Sequence, residues 1–299
     1  MEKSAKLEGI VVPIMTPLME DEKVDEPALR KIVRHLLDGG VHGIFVNSTT
    51  GAGVCLADNE KNRSLQIVVD EVGGAVPVYA GVSDTGTKRA LANIDETLKI
   101  GPDILVAHPP FYFPPNSQQE IYDYFAELAK ASELPLMLYN IPFTTQAPMS
   151  LDVVKRLLDI ENIVGIKDSS VDYVFLLNLI ELKRIRPDFR IFIGKSHMWT
   201  AGILSGADGG LDGISNVIPH RCVKLYDAIR ANSPEVYDMQ REINEIWRIY
   251  ECQSFLGGLA ATMSLLGFCK AKTPQPILPA TEKEIKKIEK ILRAHNLLS

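Results

Sequence analysis

The sequence predicts a (β/α)8 barrel carrying a C-terminal helical appendage, and three observations predict it. Short apolar, β-rich runs bounded by Gly, Pro, Asn, Asp or Ser alternate with longer amphipathic stretches through eight rounds. The alternation continues without a break in composition, which fits one large α/β domain better than two small ones. No GxGxxG follows the first run, so the usual sign of a dinucleotide-binding half is missing and the competing doubly wound sheet loses weight.

The first strand is predicted over residues 10–15. A helix follows over 27–38, where Leu29, Ile32, Val33, Leu36 and Leu37 make one apolar stripe, Asp25 is placed to cap the start and Gly39-Gly40 to stop it. The same logic gives strands at 43–47, 77–82, 104–108, 136–140, 163–167, 190–194 and 209–214. Helices fall between them at 59–72, 88–100, 119–130, 150–158 and 174–184, and His220 opens another. Helical stretches around 234–252, 255–266 and 281–295 exceed what a barrel needs. The predicted division is a catalytic barrel over 1–230 and helices packed on it over 231–299.

Composition narrows the partners. The 299 residues are 46% hydrophobic and 23% charged, ample for a buried core. Lysine plus arginine total 32 against 38 acidic residues, a net charge of −6 that argues against nucleic acid, whose binding needs a basic face. The first 21 residues lack a continuous apolar h-region and a small-residue cleavage site, and no apolar run approaches the ~18 residues of a membrane span. Cys55, Cys222, Cys252 and Cys269 are scattered without a CxxC, and the six histidines show no HExxH or paired spacing. The expectation is a soluble, cytoplasmic, reduced protein with no metal, no cofactor and no membrane partner.

Barrel enzymes carry their reacting groups at the C-terminal ends of strands. Lys167 closes Ile163-Val164-Gly165-Ile166, a strand expected to be buried on both faces, and Gly165 is expected to leave space beside its amine. A desolvated lysine loses its proton more readily and can attack a ketone to form a Schiff base. A strand-end lysine reaching solvent is the plain alternative, and Lys195, also after a strand, is a direct rival. Tyr139 ends the preceding strand, within reach of such an amine for proton shuttling, or else is an aromatic core residue. Ser48-Thr49-Thr50-Gly51 offers hydroxyls and successive N–H groups able to nest a carboxylate, or simply a βα loop. A phosphate site near Gly194-Lys195-Ser196 and residues 206–210 is opposed by Asp208 and Asp212.

Together these motifs resemble the dihydrodipicolinate synthase / N-acetylneuraminate lyase family of class I pyruvate aldolases. The matching segments are Ser48-Thr49-Thr50-Gly51, Pro110-Phe111-Tyr112, Tyr139-Asn140-Ile141-Pro142, Gly165-Ile166-Lys167-Asp168-Ser169-Ser170 and the glycine-rich stretch 206–216, in family order over most of the barrel. The resemblance selects Lys167 over Lys195 and implies a Schiff base with pyruvate or a 2-keto acid. It makes Tyr139 the general acid/base, and Thr49 and Thr50 the carboxylate binders that join a hydroxyl relay. It makes Tyr112 a relay tyrosine lent across a subunit interface of a homotetramer. Ser48, Gly194, Ser196 and Leu211 fall among the expected substrate-binding positions.

Departures shape the substrate. Synthases of the family usually carry an arginine shortly after Tyr-Asn-x-Pro, where this chain has Phe143-Thr144-Thr145-Gln146, so a bidentate carboxylate contact is lost. The stretch from Val46 to Gly53, with Ala52 in place of the usual glutamate, is closer to archaeal-type 2-keto-3-deoxygluconate aldolases. Lys195-Ser196-His197 replaces the acidic pair that sialic-acid lyases often carry. Thr144, Ser196 and Asn216 are expected to reach sugar hydroxyls, and Phe111, Phe143 and Trp199 to line an apolar alternative. The reading is a lyase cleaving a 2-keto-3-deoxy sugar acid, or a related 4-hydroxy-2-keto acid, to pyruvate and an aldehyde. A 2-keto-acid dehydratase using the same lysine, 4-hydroxy-tetrahydrodipicolinate synthase and a catalytically silent keto-acid-binding barrel stand as alternatives.

Overall fold

A computed structural model describes residues 7–298. Eight parallel strands close into a barrel in simple sequential order. They are β1 (Gly9–Pro13), β2 (Gly43–Val46), β3 (Val78–Gly81), β4 (Ile104–Ala107), β5 (Leu136–Asn140), β6 (Ile163–Asp168), β7 (Arg190–Ile193) and β8 (Gly209–Gly210). The helices of the outer layer are α1 (Glu26–Asp38), α2 (Asp58–Val72), α3 (Thr87–Ile100), α4 (Gln118–Lys130), α5 (Pro142–Thr145), α6 (Leu151–Leu157), α7 (Tyr173–Glu181), α8 (Trp199–Leu204) and α9 (Pro219–Arg230). Beyond them come α10 (Val236–Trp247), α11 (Phe255–Leu265) and α12 (Glu282–Ala294). No helix among the described residues is long and apolar enough to cross a membrane.

The expected alternation produces this barrel because each strand has two apolar faces to bury. Val11, Phe45, Tyr79, Ile104, Val106, Met137, Tyr139, Phe192 and Leu211 fill the interior. The opposite faces of the strands join the inner stripes of the helices in a larger outer core. Asp25 caps α1 as expected, its carboxylate accepting the Ala28 N–H at 3.2 Å.

The eighth strand differs from its sequence reading. It ends at Gly210, and residues 213–216 form a 3₁₀ turn because the Asp212 carboxylate accepts the Ile214 N–H at 3.0 Å and pulls the chain off the extended path. Its glycines fit their surroundings closely: a Cβ on Gly209 would strike the Gly9 carbonyl, and one on Gly210 the Trp199 indole. Trp199 is therefore a core residue that braces the barrel wall, its indole N–H donating to the Ile193 carbonyl at 3.0 Å, and not a pocket aromatic.

Gly165 also serves a different purpose from the one its sequence suggested. A Cβ there would lie 2.5 Å from the Arg190 carbonyl oxygen on the neighbouring strand, so the glycine permits close strand approach. A register irregularity between β5 and β6 falls beside it, where Leu136 pairs with Ile163 and Met137 with Gly165. From that point Tyr139 pairs with Lys167 and Asn140 with Asp168.

Candidate active site

Lys167 is 3% exposed, although it ends a strand at the mouth of the barrel. Pairing with Tyr139 on one side and Phe192 on the other turns its side chain inward with theirs. Its Nζ lies 3.9 Å from the centroid of the Tyr139 ring and 5.3 Å from that of Phe45. Two electron-rich rings thus stand against this nitrogen.

Lys167 and Tyr139 line a cavity of about 550 Å³. Thr49, Thr50, Gly194 and Leu211 line it as well, so the ends of three strands, β2, β7 and β8, contribute besides those of the lysine and tyrosine pair. In the loop after β2, Gly51, Ala52 and Gly53 spend their N–H groups on Ser48 Oγ, the Thr49 carbonyl and the Ser48 carbonyl. The N–H groups of Thr49 and Thr50 make no hydrogen bond among the described residues, which leaves two adjacent donors on residues that line the cavity. Gly51 allows this turn because a Cβ there would sit 2.7 Å from the Ile14 carbonyl.

Other expected site residues lie elsewhere. Ser48 is buried, borders a smaller cavity behind Thr49 and Tyr139, and uses its hydroxyl as acceptor within its own loop. Ser196 is fully buried and its hydroxyl has no partner among the described residues, while its N–H donates to Asp212 and its carbonyl accepts from Gln240. Asn216 is also fully buried and binds the Met15 N–H and the carbonyls of Pro13 and Gly213. Both its N–H donors and its oxygen are engaged in tying β1 to the turn after β8, so the expected contact with a sugar hydroxyl is replaced by a structural latch. Tyr112 is 83% exposed, outside the cavity, and holds a left-handed φ of 73°.

Two flanking groups are set by burial. The Asp168 carboxyl is pushed above its usual range by desolvation, opposed by hydrogen bonds from Asn140 at 2.7 Å and Ser170 at 2.8 Å. It fixes Asn140 beside the reacting strand ends. The His108 imidazole is pushed down to about 4 by burial, with the Lys167 charge adding to the effect. Its Nδ1 faces the Pro109 carbonyl at 2.9 Å, and a carbonyl only accepts, so Nδ1 carries the proton and Nε2 is left as an acceptor near Tyr139.

The C-terminal helices supply a wall that sequence reasoning did not anticipate: Trp247, Tyr250, Gln253, Ser254, Phe255 and Leu256 all line the cavity. Gln240 on α10 fastens this wall to the barrel, accepting from Thr200 N and Oγ1 at 3.1 and 2.9 Å and donating to the Ser196 carbonyl at 2.9 Å. Lys195 lines the same cavity as Lys167, with its Nζ 5.1 Å from the Phe143 ring and 5.9 Å from that of Trp247.

Comparison with known proteins agrees with this fold. The chain is 31% identical over 293 residues to an uncharacterized DapA-like lyase of Pyrococcus horikoshii, covering 96% of this chain and 100% of the relative. It is 32% identical over 226 residues to the 4-hydroxy-tetrahydrodipicolinate synthase of Methanothermobacter thermautotrophicus, covering 74% and 78% of the two chains. Among solved structures, dihydrodipicolinate synthase of Bacteroides thetaiotaomicron superposes with a TM-score of 0.91 at 31% identity over 96% of this chain and 98% of that one. The E. coli K12 prophage protein YagE, of the dihydrodipicolinic acid synthase family and solved in complex with pyruvate, gives 0.93 at 25% over 97% and 99%. The sequence profile of the Dihydrodipicolinate synthetase family matches residues 6–295, and the chain belongs to that family.

Proposed function

We propose that this protein is a Schiff-base lyase that reversibly cleaves a 2-keto-3-deoxy sugar acid, or a related 4-hydroxy-2-keto acid, into pyruvate and an aldehyde. The observation that carries the reading is the buried Lys167 Nζ against the Tyr139 ring, in a cavity that also takes in Thr49 and Thr50. The Lys167 amine adds to the 2-keto carbon, Tyr139 gives its phenol proton to the departing hydroxyl, and water leaves, giving a protonated imine beside the tyrosine oxygen that later takes a proton back. The C3–C4 bond then breaks, its electron pair moves into the iminium as an enamine, and the C4 hydroxyl gives its proton to Tyr139 as the aldehyde forms. Protonation at C3 and hydrolysis release pyruvate and restore the amine. The N–H groups of Thr49 and Thr50 hold the keto-acid carboxylate.

We assign Tyr112 to a neighbouring subunit's site in a homotetramer. Support comes from its exposure at 83%, the 79% exposed Phe113 beside it, and a strained backbone on a residue outside its own cavity. Synthase activity is the second reading, favoured by the synthase relative and weakened by the absence of a guanidinium over Phe143-Thr144-Thr145-Gln146.

Borohydride reduction with pyruvate, followed by peptide mass mapping, tests the chemistry. A pyruvate adduct on Lys167, absent in Lys167→Ala, is expected. An adduct on Lys195 moves the site, and no adduct on any lysine of the folded protein overturns the reading. Pyruvate release from 2-keto-3-deoxy acids then separates cleavage from dehydration.

A further inference from the structure

Three charged side chains line the large cavity: Lys167, Lys195 and Asp212. Lys167 is assigned to the keto carbon. Asp212 is 5% exposed, and its two oxygens accept the N–H groups of Ser196 at 2.8 Å and Ile214 at 3.0 Å. Its charge is thus taken up by the amides of the wall. Lys195 has no carboxylate partner among the described residues. Its Nζ rests against the rings of Phe143 and Trp247, which favour the charge and fix its position but leave the three N–H donors of an ammonium unspent.

The neighbourhood that argued against an anion in the sequence reads differently in the fold. Asp208 lies at the other end of β8, where it accepts Lys183 Nζ at 2.9 Å, an Arg190 guanidinium N–H at 3.0 Å and the Ile191 N–H at 2.9 Å. It is a neutralised structural carboxylate away from the mouth of the barrel. The remaining polar lining of the cavity, Thr144, Gln253 and Ser254 included, is uncharged.

We infer that Lys195 is a specificity-determining residue that anchors a terminal anion, carboxylate or phosphate, on the aldehyde half of the substrate. The inference rests on the function proposed above and sharpens its substrate class to 2-keto acids charged at both ends. A cation lent by the loop after β7 takes the place of one on α5, so the chain end of the substrate points toward the wall formed by Trp247. As a compact point charge, an ammonium suits either anion.

The test measures condensation of pyruvate with two matched aldehyde pairs, succinic semialdehyde against butanal and glyceraldehyde 3-phosphate against glyceraldehyde. Wild type, Lys195→Met and Lys195→Arg are compared, with borohydride trapping of pyruvate run in parallel. The expected result is a wild-type preference in kcat/KM for the charged member of at least one pair. That preference falls about 10- to 100-fold in Lys195→Met and is partly restored in Lys195→Arg, as loss of one charge-assisted hydrogen bond requires. The pair that responds identifies carboxylate or phosphate. Trapping on Lys167 with no wild-type preference, or with a preference unchanged in Lys195→Met, overturns this inference alone. Failure of wild type to trap pyruvate on Lys167 overturns the underlying reading and this one with it.

Discussion

The Lys167 Nζ stands 3.9 Å from the centroid of the Tyr139 ring, and the two residues are paired in register on adjacent strands. Strand pairing, rather than a flexible loop, therefore sets the spacing between the proposed nucleophile and its proposed acid/base. One tyrosine can then do two jobs, since its face lies against the amine and its hydroxyl is the proposed carrier of protons.

Two substitutions separate those jobs. Tyr139→Phe keeps the face and is expected to lower turnover about 10²- to 10⁴-fold while still trapping pyruvate on Lys167. Tyr139→Leu removes the face as well and is expected to weaken trapping further, by the roughly 0.5–2 kcal/mol of a cation–π contact. Wild-type turnover in Tyr139→Phe would remove the hydroxyl from the mechanism.

Gly194 offers a steric test. A Cβ there would overlap the Ser169 hydroxyl, and both residues line the cavity, so the wall has to shift. Gly194→Ala is expected to lower kcat/KM at least ~10-fold and to reduce the melting temperature, as overpacking in a dense wall does. Gly86→Ala, at the N-cap of α3 where a Cβ meets nothing within 4 Å, is the steric control and should leave kcat/KM unchanged. Equal behaviour of the two variants would contradict the packing argument.

The barrel was legible because each strand announces itself locally, and β5 runs from Leu136 to Asn140, the bounds its sequence predicts. The strand ends were legible for the same reason, which placed Lys167 and Tyr139 side by side once closure was assumed. What the sequence concealed depends on distant partners. Asn216 and Ser196 look like polar residues at a mouth, yet Met15, Pro13 and Gly213 engage the first, and the backbone around the second is held by Asp212 and Gln240. Gly165 reads as room for an amine until the Arg190 carbonyl is seen against it. The wall from Trp247 to Leu256 is brought over the cavity by Gln240, a contact 40 residues long that no local pattern encodes.

Stability should fall on mild acidification. His108 has a pKa of about 4 in the fold against an ordinary 6.5, and His35, His42 and His197 are also lowered by burial. Between these limits the unfolded chain binds more protons than the native one, so stability is gained as pH rises from 4 to 6.5 and lost as it falls. His108 alone accounts for up to about 3 kcal/mol over that window. Thermal unfolding between pH 7 and 4.5 is expected to give a falling midpoint in wild type and a shallower fall in His108→Gln. Identical slopes would mean that His108 protonates freely in the native state.

The left-handed Tyr112 gives the assembly prediction. A tyrosine at φ 73° costs about 1–2 kcal/mol, and the strain persists only where surroundings hold it. In one protomer that residue is 83% exposed, so a neighbouring subunit is the proposed surrounding. Tyr112→Phe is expected to lower activity without preventing assembly, and Lys167→Ala to abolish it. Dissociated and reassembled together, the two variants place some intact Lys167 sites opposite an intact Tyr112. If the lending is reciprocal within pairs, random mixing recovers up to about a quarter of the wild-type sites. Assays of the mixture against each variant alone decide the matter: activity no greater than the sum of the two would confine Tyr112 to its own subunit.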